Sequence, residues 1–224
     1  CREEFDQWKL RQKEQLDRQW HPLIMSGGHV WGTLISKYAE EFKKNPEMLA
    51  MVRLPDGTMK RKGPQIETTN SKVIALFADY IREMFRKNGW ANDKNICIGV
   101  GPSDGGGFSE SPESTIAGAN RIDPISGDPD ITDLQILLCN QLIEKLECEF
   151  PNLRLGFYLY NTHADYPMKY TPNRKVTIVL ADITYSRLHG IGDRSSKTRA
   201  YYKDILEQWG NLSGRQGNHI FFRG

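Results

Sequence analysis

The stretch NICIGVGPSDGGGFSE, residues 95–110, decides the fold. Its opening run ICIGV is short, apolar and rich in β-branched residues, which predicts a buried strand. Five glycines then surround a single aspartate, Asp104. Glycine loses more backbone freedom on folding than any other residue, so a Gly-Gly-Gly run indicates unusual dihedrals or the close approach of another group. The stretch therefore predicts a buried strand that ends in a functional loop.

Similar apolar runs recur along the chain and alternate with helical patterns. Strands are predicted at residues 21–29, 95–101, 154–161, 176–181 and 219–222. Helices are predicted at residues 5–20, 36–44, 71–87, 131–150 and 198–212, with a helical turn near residues 45–47 and a cap at Ser71. Residues 53–69 read as a loop with a turn at Pro55-Asp56-Gly57.

The alternation of strands and helices is typical of parallel βα units. A closed barrel of this kind has eight strands, whereas the pattern supplies about five. The sequence therefore predicts an α/β fold in which residues 1–224 form part of a single (β/α)8 TIM-barrel-like catalytic domain. Both ends of the chain look cut, so we expect it to be a piece of a longer protein.

Composition excludes some classes of function. The 224 residues are 38% hydrophobic and 26% charged, with a net charge of +2, and they contain no long basic block that would indicate nucleic-acid binding. No run of about 18 apolar residues predicts a membrane span. The four cysteines, Cys1, Cys97, Cys139 and Cys148, lack the spacing of a metal site, and those in the apolar strand and the helical segment are expected to be buried free thiols.

Polar and aromatic residues follow four of the predicted strands. Functional groups gather at the carboxyl ends of the strands in parallel α/β folds, so these residues predict a site. The candidates, by position, are Asp104, Glu110, His29, Trp31, Gly105, Gly106, Phe108, Tyr160, Asn161, His163, Asp182 and Tyr185. Flat aromatic rings suit the apolar face of a sugar.

Asp104 and Glu110 are the candidate catalytic residues. Glycoside hydrolysis usually needs two carboxyl groups: one protonates the leaving oxygen and the other attacks or stabilises the anomeric centre. Asp104 is equally well explained as a turn aspartate that caps its own loop, and Glu110 as a solvated loop charge. A phosphate site is disfavoured because the loop lacks the lysine and spacing of a P-loop.

Other chemistries have weaker support. His29 and His163 could bind sugar hydroxyls, but structural hydrogen bonding is the commoner role of a lone histidine. No HxH or HxxxH pair supports a metal, and no cofactor is expected. The absence of a GxSxG elbow disfavours a serine hydrolase. Asp182 and Arg187 could form a simple salt bridge.

Five segments follow one another in a recognisable order: SGGHVW, NPEMLAMVRLPDGTMKRKGPQIETTNSKVIALFADYI, IGVGPSDGGGFSESPES, LRLGFYLYNTHADYPMKYTPNRKVTIVLADITYSRLH and YYKDILEQWGNL. Together they resemble a bacterial family known as domain of unknown function 4838. The resemblance covers residues 5–224, and the Asp-Gly-Gly loop is its most specific element. The family belongs to a glycosidase barrel superfamily and has members in glycoside hydrolase family 163.

The resemblance implies an endo-β-N-acetylglucosaminidase-like enzyme acting on N-acetylhexosamine-containing glycans, with export to the periplasm, cell surface or medium. It also implies a scheme in which the substrate's own acetamido group replaces the nucleophile. One carboxylate then orients the acetamide and the other is the general acid/base, roles that would fall to Asp104 and Glu110. Many relatives carry cysteines where this chain has Ser109, Ser111 and Ser114, so no cysteine cluster is expected here.

Two alternatives stay open at this point. The chain could bind carbohydrate without cleaving it, which would leave affinity but no turnover. It could also hydrolyse uronic-acid glycosides, for which Arg187 or Arg223 would have to clamp the carboxylate.

Overall fold

The computed structural model describes residues 24–26, 28–124, 126–160, 164–181, 185–186, 188–190 and 193–223. Its strands are β1 (Ile24–Ser26), β2 (Leu49–Arg53), β3 (Met59–Ile66), β4 (Ile96–Gly99), β5 (Leu153–Leu159), β6 (Val176–Ala181) and β7 (His219–Arg223). Its helices are α1 (Trp31–Lys37), α2 (Ala39–Lys44), α3 (Ser71–Lys87), α4 (Pro112–Ala117), α5 (Thr132–Leu146) and α6 (Lys197–Gln216), with a 3₁₀ turn at Pro46–Met48. The predicted helix at residues 5–20 lies outside the described residues.

Five of the strands form one parallel sheet in the order β1-β4-β5-β6-β7. In the centre of the sheet, Ile98 of β4 pairs with Leu155 of β5, and Leu155 pairs in turn with Val176 of β6. This arrangement confirms the predicted α/β class. Among the described strands β1 and β7 are the edges, so this sheet is open and the predicted part of a closed barrel is not confirmed.

The middle of the sheet is covered on both faces. Every residue of β4 and β6 is buried, as expected for parallel strands that have helices on each side. The longest helices add their apolar faces to this core: Phe77 and Ile81 from α3, and Leu138 from α5, are fully buried. The core therefore lies around β4 to β6 and holds the carboxyl ends of these strands in place.

Helix α3 runs over the residues that its spacing predicts. The Asn70 side chain caps it by accepting a hydrogen bond of 2.9 Å from the Lys72 N–H, so the predicted cap at Ser71 is wrong by one residue. Asparagine at this position satisfies one of the free N–H groups of the first turn as well as serine would.

A β-hairpin occupies most of residues 53–69, where the sequence predicts a loop. The Pro55-Asp56-Gly57 turn is present, with Gly57 at a φ of 84°, but strands β2 and β3 flank it in a separate antiparallel sheet. The loop prediction is wrong because β3 is largely exposed and carries charged residues outward. Such a strand lacks the apolar alternation that identifies strands in a sequence.

The cysteines follow the prediction in part. Cys97 and Cys139 are buried free thiols, and burial raises the pKa of each to about 12. Cys148 is exposed, so its predicted burial is wrong. It follows α5 in the turn that ends the helical segment, where the chain already faces solvent.

Candidate functional site

The loop that carries Asp104 begins where β1 and β4 end together. His29 pairs with Gly101 in a short parallel bridge, and the Val30 N–H donates to the Gly101 carbonyl at 2.9 Å. A Cβ atom on Gly101 would lie 3.1 Å from the Gly28 carbonyl oxygen. The glycine at 101 therefore allows the two strand ends to approach closely, which brings His29 beside the loop.

The β3 strand of the hairpin fixes the loop from the other side. The Gln65 side chain donates to the Ser103 carbonyl at 2.8 Å and accepts from the Ser103 N–H at 3.2 Å. The Ser103 hydroxyl in turn accepts a hydrogen bond of 2.9 Å from the Gly32 N–H in α1. Because Gln65 is fully buried, these bonds anchor the residue next to Asp104 rigidly.

Asp104 has its side chain 76% exposed and contacts two residues that follow neighbouring strands. The Tyr160 hydroxyl, just after β5, donates a hydrogen bond of 2.6 Å to Asp104 Oδ1. His29 Nε2, after β1, lies 3.3 Å from the same oxygen. Of the residues that the structure describes, none makes a hydrogen bond or ion pair with Oδ2, which leaves that oxygen available to a ligand.

His29 is oriented by a backbone carbonyl as it faces Asp104. His29 Nδ1 lies 2.6 Å from the Pro102 carbonyl oxygen, which can only accept, so Nδ1 carries a hydrogen. Nε2 is then the nitrogen that faces Asp104. The Pro102 carbonyl therefore holds the imidazole ring with Nε2 toward the carboxylate.

Tyr160 acts in this cluster as a hydrogen-bond donor. Burial raises the pKa of its hydroxyl, and the hydrogen bond to the Asp104 carboxylate raises it further. A phenol with a raised pKa stays protonated at neutral pH. Tyr160 therefore positions the carboxylate and does not serve as a base.

The three glycines after Asp104 do not share one role. Gly105 and Gly107 have φ values of 92° and 81°, which side chains rarely adopt. Gly106 has no such φ, and a Cβ atom placed on it meets nothing within 4 Å. The backbone therefore requires glycine at 105 and 107, while at 106 it leaves open space over the loop.

Glu110, the other candidate carboxylate, binds the edge of the hairpin. Its N–H donates to the Met51 carbonyl at 2.7 Å, and the Arg53 side chain reaches Glu110 Oε2 at 3.3 Å. In the described part of the chain no hydrogen bond or ion pair joins Glu110 to Asp104. The structure thus brings Asp104 together with Tyr160 and His29, and Glu110 together with Arg53.

A buried carboxylate, Glu67, anchors the segment that includes Glu110. Its donors are Arg61 Nη1 at 2.9 Å, Ser109 Oγ at 2.6 Å, Ser114 Oγ at 2.5 Å and Thr69 Oγ1 at 2.8 Å. Burial alone would raise the pKa of Glu67, but the hydroxyl hydrogen bonds outweigh it and hold the pKa below its ordinary value. Glu67 is therefore an ionised structural group that ties the loop to the hairpin.

A pocket of about 240 Å³ lies beside Glu110. Its wall includes Arg53 from β2, Phe108 and Glu110 from the loop, and the segment before α5. Asp104 does not line this pocket. The same loop therefore presents Asp104 at the strand ends and Glu110 at a separate cavity.

The lining of the pocket includes a second charged pair, Arg121 and Asp130. Arg121 donates to Asp130 Oδ2 at 3.0 Å and to the Tyr166 carbonyl at 2.7 Å, and it lies 3.3 Å from Asp165 Oδ2. Burial raises the pKa of Asp130 to about 6, although the Thr132 N–H and Arg121 favour its ionised form. These bonds fix the start of α5.

The remaining predicted residues fall into two groups. Trp31 and Tyr185 are buried, and Trp31 donates through Nε1 to the Val100 carbonyl at 2.8 Å. Phe108 is half-buried and packs edge-on against Trp31, with ring centroids 6.2 Å apart. Asn161, His163, Asp182 and Arg187 lie outside the described residues, and the Arg223 side chain is not described either.

Sequence reasoning missed the support that the hairpin gives to the loop. Gln65, Glu67 and Arg53 were assigned to a loop, and so were not considered as contacts of residues 103–110. The available signal was the alternation of polar and apolar residues in QIE, residues 65–67, which is typical of a strand end. Two polar residues on the same face of a strand normally indicate that this face is exposed to solvent. The burial of Gln65 and Glu67 could therefore not be predicted.

Comparison with known families identifies the chain. A model of the family described as "Domain of unknown function (DUF4838)" matches residues 2–217. The chain belongs to the DUF4838 family. This confirms the resemblance at the level of the family, and the Asp104 loop lies within the matched DUF4838 region. No curated protein and no solved structure matches the chain.

Two further observations concern partners of this DUF4838 chain. None of the described helices is long and apolar enough to cross a membrane. Within the same residues, histidine, cysteine, aspartate and glutamate side chains form no group of three or more that could hold a metal ion.

Proposed function

We propose that the chain contributes the substrate-binding face of a glycoside hydrolase acting on N-acetylhexosamine-containing glycans. The observation that carries this proposal is the contact of Asp104 with Tyr160 and His29 at the ends of three adjacent parallel strands. The carboxyl ends of parallel strands are where α/β enzymes bind and convert substrates. An exposed carboxylate with one free oxygen suits a sugar hydroxyl or acetamide.

The fold is compatible with a larger barrel. The strands of the parallel sheet lie side by side in the order in which they occur along the chain: β1, β4, β5, β6 and β7. Strands in a (β/α)8 barrel follow the same rule. The resemblance to glycoside hydrolase family 163 points the same way. In this proposal, further strands would complete the barrel and the Asp104 loop would face its open end.

In the proposed reaction, Asp104 orients the acetamido group of the substrate. Asp104 accepts the acetamide N–H at Oδ2 while Tyr160 holds Oδ1. The acetamide oxygen attacks the anomeric carbon, and the electron pair of the glycosidic bond leaves with the bridging oxygen, which takes a proton from a general acid. Water then opens the cyclic intermediate, supplies the new anomeric hydroxyl and returns a proton to that acid.

The second candidate function is carbohydrate binding without cleavage. It is favoured by the position of Glu110, whose carboxylate pairs with Arg53 and makes no described contact with Asp104. A carboxylate held by a guanidinium is a good hydrogen-bond acceptor for hydroxyls. On this alternative, both carboxylates bind sugar hydroxyls and neither transfers a proton.

The test separates turnover from affinity. The full-length protein is incubated with N-glycans, N-acetylhexosaminides and uronides, and product release is followed by mass spectrometry. Asp104→Asn, which keeps the side-chain shape, is compared with Glu113→Gln on the exposed side of α4. Hydrolysis predicts a large loss of kcat in Asp104→Asn alone. Binding of a glycan with no turnover in the wild type would favour the second candidate.

A further inference from the structure

We infer that the pocket beside Glu110 binds one neutral sugar ring, as a subsite separate from the Asp104 cluster. This inference rests on the proposed function, because it names a ligand class for the same loop. The pocket opens between the edge of β2, the end of the loop and two stretches that precede α5, residues 118–122 and 129–131.

The size of the pocket sets the size of its ligand. Its volume is about 240 Å³. Pockets for drug-sized ligands measure about 300–1,000 Å³, so this one accommodates a smaller molecule. A single pyranose ring is of that scale, whereas an extended oligosaccharide would have to leave the pocket toward the rest of the loop.

The pocket combines apolar and polar side chains in one lining. Phe108, Ile131 and Leu134 line the pocket together with Ile122, which is 61% exposed. An aromatic ring with neighbouring aliphatic side chains packs against the C–H face of a sugar. The polar side chains of the same lining are then available to the hydroxyl groups of the sugar, which is the combination that sugar recognition requires.

The charges of the lining favour a neutral ligand. Arg53 pairs with Glu110 at 3.3 Å, and Arg121 pairs with Asp130 at 3.0 Å. Each cation in the lining is therefore balanced by an anion in the same lining. A carboxylate or phosphate ligand would have to compete with Glu110 or Asp130 for its arginine, whereas a hydroxyl group can accept from the guanidinium and donate to the carboxylate.

The backbone beside the pocket adopts a conformation that the fold must hold in place. Asn120, which lines it, has a φ of 54°, the only positive φ of a non-glycine residue in the described chain. Asparagine tolerates this left-handed region better than most residues. In the two residues that follow this turn, the Arg121 side chain is mostly buried whereas Ile122 is 61% exposed.

The test measures binding of methyl β-D-glucopyranoside and of glucuronate by ligand-detected NMR. Ile122→Ser is compared with Ile116→Ser, because both isoleucines are exposed and only Ile122 lines the pocket. Arg53→Gln is compared with Arg82→Gln, because both arginines pair with a surface glutamate. Thermal melts establish that all four variants fold.

We expect Ile122→Ser and Arg53→Gln to weaken binding of the glucoside by about fivefold or more, the order of one lost contact. The affinity of the two control variants for the glucoside should stay within about twofold of that of the wild type. Equal affinity in all five proteins, absence of glucoside binding, or tighter binding of glucuronate would each overturn the inference.

Failure of this inference is distinguishable from failure of the proposed function. If glycan turnover needs Asp104 but the affinity for the glucoside is unchanged in Ile122→Ser and Arg53→Gln, only the inference about the pocket is overturned. Glucoside binding that depends on Ile122, together with no turnover of any glycan by the wild type, would overturn hydrolysis and leave the pocket as a binding site.

Discussion

The Tyr160 hydroxyl donates a hydrogen bond of 2.6 Å to Asp104 Oδ1, although the two residues lie 56 positions apart. The bond joins the end of β5 to the loop after β4, which are neighbours in the sheet. Because the pKa of Tyr160 is raised by burial and by this carboxylate, the bond has the same polarity across the physiological pH range. It therefore orients Asp104 through one oxygen and leaves the second oxygen without a partner among the described residues.

Tyr160→Phe should remove this orientation without unfolding the protein. A hydrogen bond to a charged group contributes about 1.5–3 kcal/mol, so kcat/KM for the glycan should fall roughly tenfold to a hundredfold. Tyr38→Phe, at the far end of α1 from His29, is the matched control. Steady-state kinetics of both variants check the prediction, and equal kcat/KM in Tyr160→Phe and wild type would contradict it.

Substitution of Gly106 tests whether a ligand approaches the middle of the loop or whether the glycines there serve only the backbone conformation. Its φ does not require glycine, and a Cβ atom there meets nothing within 4 Å, so Gly106→Val should fold normally. If sugar approaches this surface, the valine should weaken glycan binding by about tenfold or more through steric overlap.

Gly190→Val is the control for Gly106→Val, since Gly190 also has open space and no positive φ. Calorimetric titration with the glycan compares the two. Unchanged affinity in Gly106→Val would mean that no ligand contacts the middle of the loop.

Glu67→Gln should destabilise the protein by about 1–3 kcal/mol at pH 7, because a buried charged acceptor becomes neutral. The pKa of Glu67 lies below its ordinary value of 4.5 in the folded state. Its contribution is therefore present above about pH 4.5 and is lost as the pH falls through the folded-state pKa. Urea unfolding at several pH values should show the gap between wild type and variant narrowing with acid.

The exposed carboxylate of Glu113 provides the comparison for Glu67. Glu113→Gln should leave the free energy of unfolding within about 0.5 kcal/mol of the wild type. A gap for Glu67→Gln that stayed constant from pH 7 to pH 3 would show that the ionised form of Glu67 does not stabilise the fold.

The helices and central strands were predictable because their patterns are local. Helix α3 repeats its apolar residues at spacings of three and four, and β6 is a continuous apolar run, so both were placed correctly. The hairpin was missed because β3 exposes its charged residues and buries mainly Gln65 and Ile66 at its end. Its stability depends on contacts with the loop, which no local pattern contains.

The candidate site was predictable only in part for the same reason. Asp104, His29 and Tyr160 could be named from their positions after strands, and parallel pairing brings these strand ends together. The separation of Glu110 from Asp104 was not predictable. It depends on Arg53 and Met51 in the unrecognised strand β2, which hold Glu110 at the hairpin's edge.

Gly156 tests the packing that sets the register of the sheet. A Cβ atom on Gly156 would lie 2.9 Å from Cys97 Sγ, so Gly156→Ala should cost about 1–3 kcal/mol through overpacking. In a Cys97→Ala background the cost should be smaller, because the clashing sulfur is gone. Urea unfolding of the single and double variants forms the cycle, and additive effects would contradict the predicted contact.

Asp104→Asn in the full-length protein tests the central claim most directly. The variant keeps the size of the side chain and its place beside Tyr160, and removes only the carboxylate. Glycan turnover is followed by mass spectrometry, with a thermal melt to establish folding. The account predicts a fall in kcat of about a hundredfold or more in a folded protein. Wild-type turnover in folded Asp104→Asn would contradict it.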